Sequence, residues 1–227
     1  MATAERVWQV RERLFQTGTV VAPDGGVREL FPVAIGPAEG LSLRDWIQKE
    51  GARATLEAGL GYGVAALCIC EGLVSGGPGG RHVAVDPYQF EGLPQHLTRF
   101  AGTGLQILEE AGVRDLVEFY DEESQVAFPR LLAEGRRFDL AFLDGNHRFE
   151  AVFVDLFYSG RLLKEGGIVF VDDAQLPGVR RAVDFFPANL GWTVEDEGEE
   201  DELHAWMVLR TGPNEAFLRP FTEFADF

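Results

Sequence analysis

A chain of 227 residues, 46% of them hydrophobic, is long enough for one α/β domain with a sizeable core and short for two. Its 20 Lys and Arg stand against 37 Asp and Glu, and a formal net charge of -17 repels a phosphate backbone, so no nucleic-acid partner is expected. No apolar run approaches the roughly 20 residues of a membrane span, and no basic-then-apolar leader opens the chain. Cys68 and Cys70, two apart on a predicted helix, read as buried thiols in a reducing compartment. The expectation is a soluble cytoplasmic protein.

Residues 4 to 15 place Val7, Val10 and Leu14 on one helical face, an amphipathic lead helix. Thr17 to Pro37 is rich in Gly and Pro and reads as a wrapping loop or short hairpin, serving packing, an oligomer arm or a substrate lid. Ser42 is the expected N-cap of a helix ending at Gly51. A short strand follows, containing Thr55 and Leu56 and ending at Glu57-Ala58-Gly59, and Val64 to Cys70 is an apolar helical run. Gly59, Gly61 and Gly63 therefore sit in a strand-to-helix turn, against which a ligand should lie. Their Gly-x-Gly-x-Gly spacing is not the Gly-x-Gly-x-x-Gly of the dinucleotide fingerprint. Glu57, two residues before the first glycine, would repel phosphate and suits a ligand with an amino group or a fixed cation.

Arg81 to Pro87 is a second apolar strand closed by Asp86, and residues 89 to 111 contain a broken helix with Gly92, Pro94 and Gly102 to Gly104 as points of mobility. Strands are expected at 116 to 120, 138 to 145 and 168 to 173, with helices over 128 to 134, 148 to 164 and 179 to 186 between and after them. Such alternation argues for a doubly wound, mostly parallel sheet with crossover helices. After Asp173 the segments GWTVEDE and LHAWMVLR read as an antiparallel pair at the sheet edge, with Glu195 to Glu202 as a solvated hairpin loop. The C-terminal FLRPFTEFADF is apolar enough to pack on its own domain or a second subunit, and a homodimer rests on the apolar ends alone.

Five parallel strands, a Glu-x-Gly-x-Gly-x-Gly turn, an acid closing the second strand and a terminal antiparallel hairpin resemble the class I S-adenosylmethionine-dependent methyltransferases over roughly residues 40 to 210. That core would follow an amino-terminal segment, 1–39, and precede an apolar tail, 211–227, in one Rossmann-like domain with a seven-stranded sheet. More narrowly, Asp144-Gly145-Asn146-His147 after strand four and Asp172-Asp173 after strand five resemble the small-molecule O-methyltransferase branch.

The resemblance implies that Glu57 and the backbone of Gly59, Gly61 and Gly63 hold the methionine end of S-adenosylmethionine. Asp86 would bind the ribose hydroxyls, Tyr88 would pack on the ribose or adenine, and Glu123 and Ser124 would edge the adenine. Neighbouring strands about 4.8 Å apart bring Asp144, Asp172 and Asp173 together, and three carboxylates in one crevice call for Mg²⁺ or a similar hard divalent ion. Asp144 and His147 are the catalytic candidates, His147 as general base because an imidazole accepts a proton near neutrality. Each residue has a structural alternative: Glu57 or Asp86 as a turn acid, the aspartates paired with Arg148 or Arg180, His147 as a loop brace. His82, His96 and His204 are given no catalytic role. The reaction expected is methyl transfer to a hydroxyl of a small molecule. The rivals are a nicotinamide-dependent oxidoreductase, which lacks an evident Tyr-x-x-x-Lys pair, and a noncatalytic protein retaining the pocket.

Overall fold

The computed structural model describes residues 3–90, 100–201, 204–213, 219–220 and 222–227. Gly92, Pro94 and His96 lie outside the described residues.

The framework is a seven-stranded sheet. Its parallel strands are β3 (Ala54–Ala58), β4 (Arg81–Val85), β5 (Val117–Tyr120), β6 (Phe138–Leu143) and β7 (Leu163–Val171), and β8 (Thr193–Asp201) and β9 (His204–Arg210) complete it. The spatial order is β5-β4-β3-β6-β7-β9-β8, with β9 antiparallel to both neighbours. The chain runs outward from β3 through β4 to β5, then returns to pair β6 on the other side of β3. This reversal opens a crevice at the C-terminal tips of β3 and β6, where ligands bind in doubly wound sheets.

Helices cover both faces. α1 (Thr3–Thr17), α2 (Pro37–Lys49), α3 (Val64–Ser75) and α4 (Thr103–Ala111) bury Leu14, Leu43, Ile69 and Ile107 on one side. On the other, α5 (Ser124–Ala133), α6 (Phe149–Leu162) and α7 (Pro177–Leu190) bury Phe128, Leu156, Val183 and Phe186. Period-2 alternation sends Phe142 and Phe170 to the first layer and Ala141 and Val171 to the second, as a sheet buried on both faces requires. A separate hairpin, β1 (Thr19–Val21) and β2 (Val27–Glu29), fills the wrapping segment. It leads into the 30–36 stretch that reaches the crevice.

Several boundaries differ from expectation. α2 begins at Pro37, not after Ser42, because proline suits the first helical turn and Glu200 Oε2 accepts from the free N–H groups of Ala38 and Glu39. The acidic run from Glu195 to Asp201 is strand, not loop. β8 is the exposed sheet edge, where a row of carboxylates discourages pairing with another chain. The Lys164-Glu165-Gly166-Gly167 stretch lies inside β7, where Gly166 has φ 71 and the register against β6 shifts. At the other terminus Phe227 packs edge-on to Phe185 of α7, with the Arg181 guanidinium 4.3 Å from its ring centre. The tail's aromatic character is thus used within its own chain. Cys68 and Cys70 are buried free thiols on α3.

Candidate active site

The parallel ladder continues one residue past each strand: Gly59 N donates to Val85 O, Asp86 N to Tyr120 O, Asp144 N to Ala58 O and Asp172 N to Leu143 O. Strand tips so aligned carry Gly59, Asp86, Asp144 and Asp172 to one level. Above them lies a cavity of about 410 Å³, within the ~300–1,000 Å³ range of small-molecule sites. Pro32 to Ile35 form an apolar wall on one side of it.

The glycines of the β3–α3 turn have separate reasons to be glycine. Gly59 has φ +93, and a Cβ there would lie 2.0 Å from the Asp144 carbonyl oxygen. Gly63 has φ +80 and would meet Gly104 at 2.8 Å. Both allow backbone to approach backbone. At Gly61 a Cβ would find nothing nearer than the Phe100 ring at 3.8 Å, so this is where a ligand has room.

Asp86, 2% exposed, braces that turn. Its Oδ2 accepts from Gly61 N at 2.7 Å and from Gln89 Nε2 at 3.1 Å, and its Oδ1 accepts from Tyr88 N at 2.7 Å. Burial lifts its pKa against these bonds. The Leu60 backbone N–H adds to these donors, so the roughly four lone-pair positions of the carboxylate are largely taken. Tyr88, Glu123 and Ser124 line the same end of the cavity, the last two at the N-terminus of α5. Asp155 of α6, 4% exposed, holds Ser124 from behind; burial raises its pKa to about 6 against the Ser124 hydrogen bond.

Glu57 is not in the cavity. It is fully buried on the α1–α4 side of β3, where its Oε2 lies 2.9 Å from His82 Nε2, and Thr55 Oγ1 lies 3.0 Å from His82 Nδ1. Strand alternation explains this, because Leu56 and Ala58 take the opposite face and Thr55 stands opposite His82 in the ladder. The expected contact of Glu57 with a ligand's amino group gives way to a Thr55–His82–Glu57 brace beneath the turn. Burial raises the Glu57 pKa against the His82 bond.

At the far end the expected acids do converge. Asp144, Asp172 and Asp173 line the cavity, and the Asp173 backbone takes the left-handed φ of 54 that an aspartate tolerates. His147 spans two of them, with Nε2 3.2 Å from Asp144 Oδ1 and Nδ1 2.9 Å from Asp173 Oδ2. Burial opposes its charge, but the bonds to Asp144 and Asp173 outweigh it and lift the pKa to about 10. A ring with both nitrogens on carboxylates is an imidazolium and has no lone pair to offer. His147 is the brace, and the expectation of a general base there does not fit this geometry. Arg148 and Arg180 leave these aspartates alone, Arg180 pairing with Asp184 and Glu197.

Sequence reasoning missed Glu39. It lies in the first turn of α2, 1% exposed, hydrogen-bonded with Asp172. Its Oε1 has no partner among the described residues. Burial and the charges of Asp172 and Asp144 push its pKa up to about 11, and burial with Asp144 and Asp173 raises Asp172 well above the carboxylate range. His204 was also missed. It lines the cavity from the start of β9, a position that the antiparallel hairpin implies, since β9 opens beside the C-terminal end of β7. Among the described residues no group of three or more His, Cys, Asp or Glu side chains closes into a metal-holding arrangement.

A family model described as a methyltransferase domain matches residues 56–174. Among solved structures the chain is similar to cofactor-bound Rv0187 from MTB, at 21% identity and TM-score 0.68 over 92% of this chain and 90% of that one. It is similar to the O-methyltransferase TomG from Streptomyces achromogenes, in complex with SAM, at 19% identity and TM-score 0.67 over 94% and 91%. An O-methyltransferase from Bacillus cereus, in complex with SAH, gives 19% identity and TM-score 0.65 over 93% and 91%. No curated protein is significantly similar in sequence.

Proposed function

Because the chain belongs to the methyltransferase-domain family, we propose that it moves a methyl group from S-adenosylmethionine to a hydroxyl of a small molecule, releasing S-adenosylhomocysteine. The observation that carries this reading is one cavity with a glycine-floored end and an acid-and-histidine end. The SAM- and SAH-bound O-methyltransferases of similar fold support it.

In this reading the methionine part of the donor lies over Gly61, the ribose lies against Asp86, and the adenine lies between Tyr88 and the Glu123–Ser124 end of α5. The negative potential of the aspartates favours a sulfonium over a phosphate at this level, which is the physical ground for preferring it to a nicotinamide dinucleotide. The acceptor enters beside Asp144, Asp172 and His204, against the apolar wall of Pro32 to Ile35, which keeps water away from the transferring methyl. His147 offsets the charge of Asp144 and Asp173 and holds their loops in register. Positioning of an oxygen in line with the methyl and its leaving sulfur is the main contribution asked of the protein.

The oxygen donors of the acid end are the kind a hard divalent ion such as Mg²⁺ takes, although among the described residues they do not close into a metal-holding arrangement as they stand. Asp144, Asp172 and Asp173 would hold it, and its chemistry would be to lower the pKa of the acceptor hydroxyl.

Calorimetric titration with S-adenosylhomocysteine, with NAD as control and with and without Mg²⁺, tests the reading. Binding of the first and not of NAD is expected, followed by a screen of hydroxyl acceptors. A folded chain that binds no S-adenosylhomocysteine under either metal condition would overturn it.

A further inference from the structure

Among the described residues lining the cavity, the only basic side chains are His147 and His204. Both nitrogens of His147 are held by carboxylates. His204 is arranged differently. Its Nδ1 is 2.8 Å from Asp201 Oδ1 across the β8–β9 hairpin, and its Nε2 has no protein partner among the described residues. We propose that Asp201 and His204 form the general-base dyad of the site, with His204 Nε2 taking the proton of the acceptor hydroxyl.

The dyad has the features that a positioned base needs. A carboxylate accepting from Nδ1–H fixes the tautomer in which Nε2 carries the lone pair, and it stabilises the imidazolium that forms when the proton arrives. The backbone next to His204 is held as well. Ala174 N donates to Ala205 O at 2.7 Å, Ala205 N donates to Gln175 Oε1 at 2.8 Å, and Gln175 Nε2 donates to Asp173 Oδ1 at 2.6 Å. Two of these bonds tie the first residues of β9 to the loop that carries Asp172 and Asp173, and the third braces that loop internally. A base at the start of β9, which pairs with β7 on one side and β8 on the other, shares the rigidity of the sheet, which supports proton transfer at fixed geometry.

The charged groups around His204 act in one direction. Asp201 faces it from β8 and Asp173 and Asp172 from the loop after β7, and although burial opposes the charge, these acids raise its pKa above the ordinary histidine value. His147, already cationic, reaches it only through Asp173. A base whose pKa is raised by neighbouring carboxylates is a stronger proton acceptor.

The step balances as follows. The O–H bond breaks with its proton going to Nε2, and the oxygen's electron pair forms the O–CH₃ bond. The C–S bond breaks with its pair going to sulfur, which turns the sulfonium into the neutral thioether of S-adenosylhomocysteine. His204 then releases its proton to solvent, with Nδ1–H remaining on Asp201.

This inference rests on the methyl-transfer reading, but its first test does not. Nitrogen-15 histidine NMR on the unliganded chain across a pH series should find neutral His204 in the Nδ1–H tautomer, and Asp201→Asn should lower its pKa and mix the tautomers. A neutral Nε2–H tautomer, or an Asp201→Asn spectrum unchanged at His204, would overturn the dyad even where S-adenosylhomocysteine binds. With a hydroxyl acceptor in hand, His204→Gln should lower kcat by roughly 100-fold or more with KM for the donor within about threefold, and added imidazole should restore turnover to His204→Ala. An unchanged kcat in both variants would sink the assignment.

Discussion

The two ends of the cavity are built on opposite principles. At the glycine end the polar groups are nearly all spoken for: Asp86 takes N–H donors from Gly61, Tyr88 and Gln89, and Gln89 Nε2 also reaches the Gly61 carbonyl at 2.7 Å. At the acid end carboxyl groups are in excess. Glu39, Asp144, Asp172 and Asp173 cluster around one imidazolium, and a buried carboxyl oxygen goes unpaired. The first end is a preformed cradle whose geometry the fold stabilises. The second holds unfavourable electrostatics that packing elsewhere must offset, as strained functional sites do.

The comparison breaks most sharply at its shared wall, Gly59. A Cβ there must displace the Asp144 backbone, so Gly59→Ala should cost more than about 3 kcal/mol in urea-induced unfolding, or prevent folding. Gly61→Ala, with open space above it, should cost only about 1 kcal/mol from its φ of +51, yet weaken S-adenosylhomocysteine binding. Equal stability losses in the two variants would show that the turn is not divided in this way.

Asp86→Ala comes next. It removes the acceptor that braces the glycine turn and the carboxylate assigned to the ribose, so S-adenosylhomocysteine affinity should fall about tenfold or more, roughly 1.4 kcal/mol, in calorimetry. Asp172→Asn, at the other end, should leave that affinity within about threefold, since its side chain lies on the acceptor side. A large loss on Asp172→Asn would mean that the two ends are not separable.

A smaller effect is read in pH. The pKa of His147 is raised from 6.5 to about 10, so its contribution is fully present below about pH 6.5 and is lost as pH rises through about 10. Thermal melts should therefore fall across that window. In Asp144→Asn, with one partner gone, the fall attributable to His147 should move to lower pH; an unmoved fall would assign it elsewhere.

How much of this the sequence carried depends on whether a residue's role follows from strand periodicity or from contacts far along the chain. The parallel strands, the glycine turn and the acids at strand tips are readable because alternation and turn chemistry are local, and Asp144, Asp172 and Asp173 lie where strand ends put them. Glu57 was misplaced although its position on β3 was right: alternation turns it away from the cavity, and the partner that occupies it there, His82, lies 25 residues away. β8 was misread because a run of acids looks like a loop unless it is known to be a solvent-facing edge. Glu39 left no local signal at all: an acid in a first helical turn ordinarily serves its own helix, and here Glu200, 161 residues away, approaches its backbone N–H instead.

Glu39 gives the finest probe of the acid end. Its pKa is about 11 in the folded chain against 4.5 ordinarily, so the folded state keeps a proton that the unfolded state gives up. The sign follows: any stability due to this carboxyl is fully present below about pH 4.5 and declines as pH rises toward 11. Glu39→Gln keeps the size and removes the titration. It should melt within about a degree of the parent near pH 4.5 and clearly higher near pH 9, because the parent alone must hold a neutral carboxyl against solvent base. Glu39→Leu removes the hydrogen bond to Asp172 as well and should recover less. If Glu39→Gln were instead destabilised at pH 9, Glu39 would be ionised and compensated in the folded chain. The acid end would then be as well satisfied as the glycine end, and the contrast between them would fail.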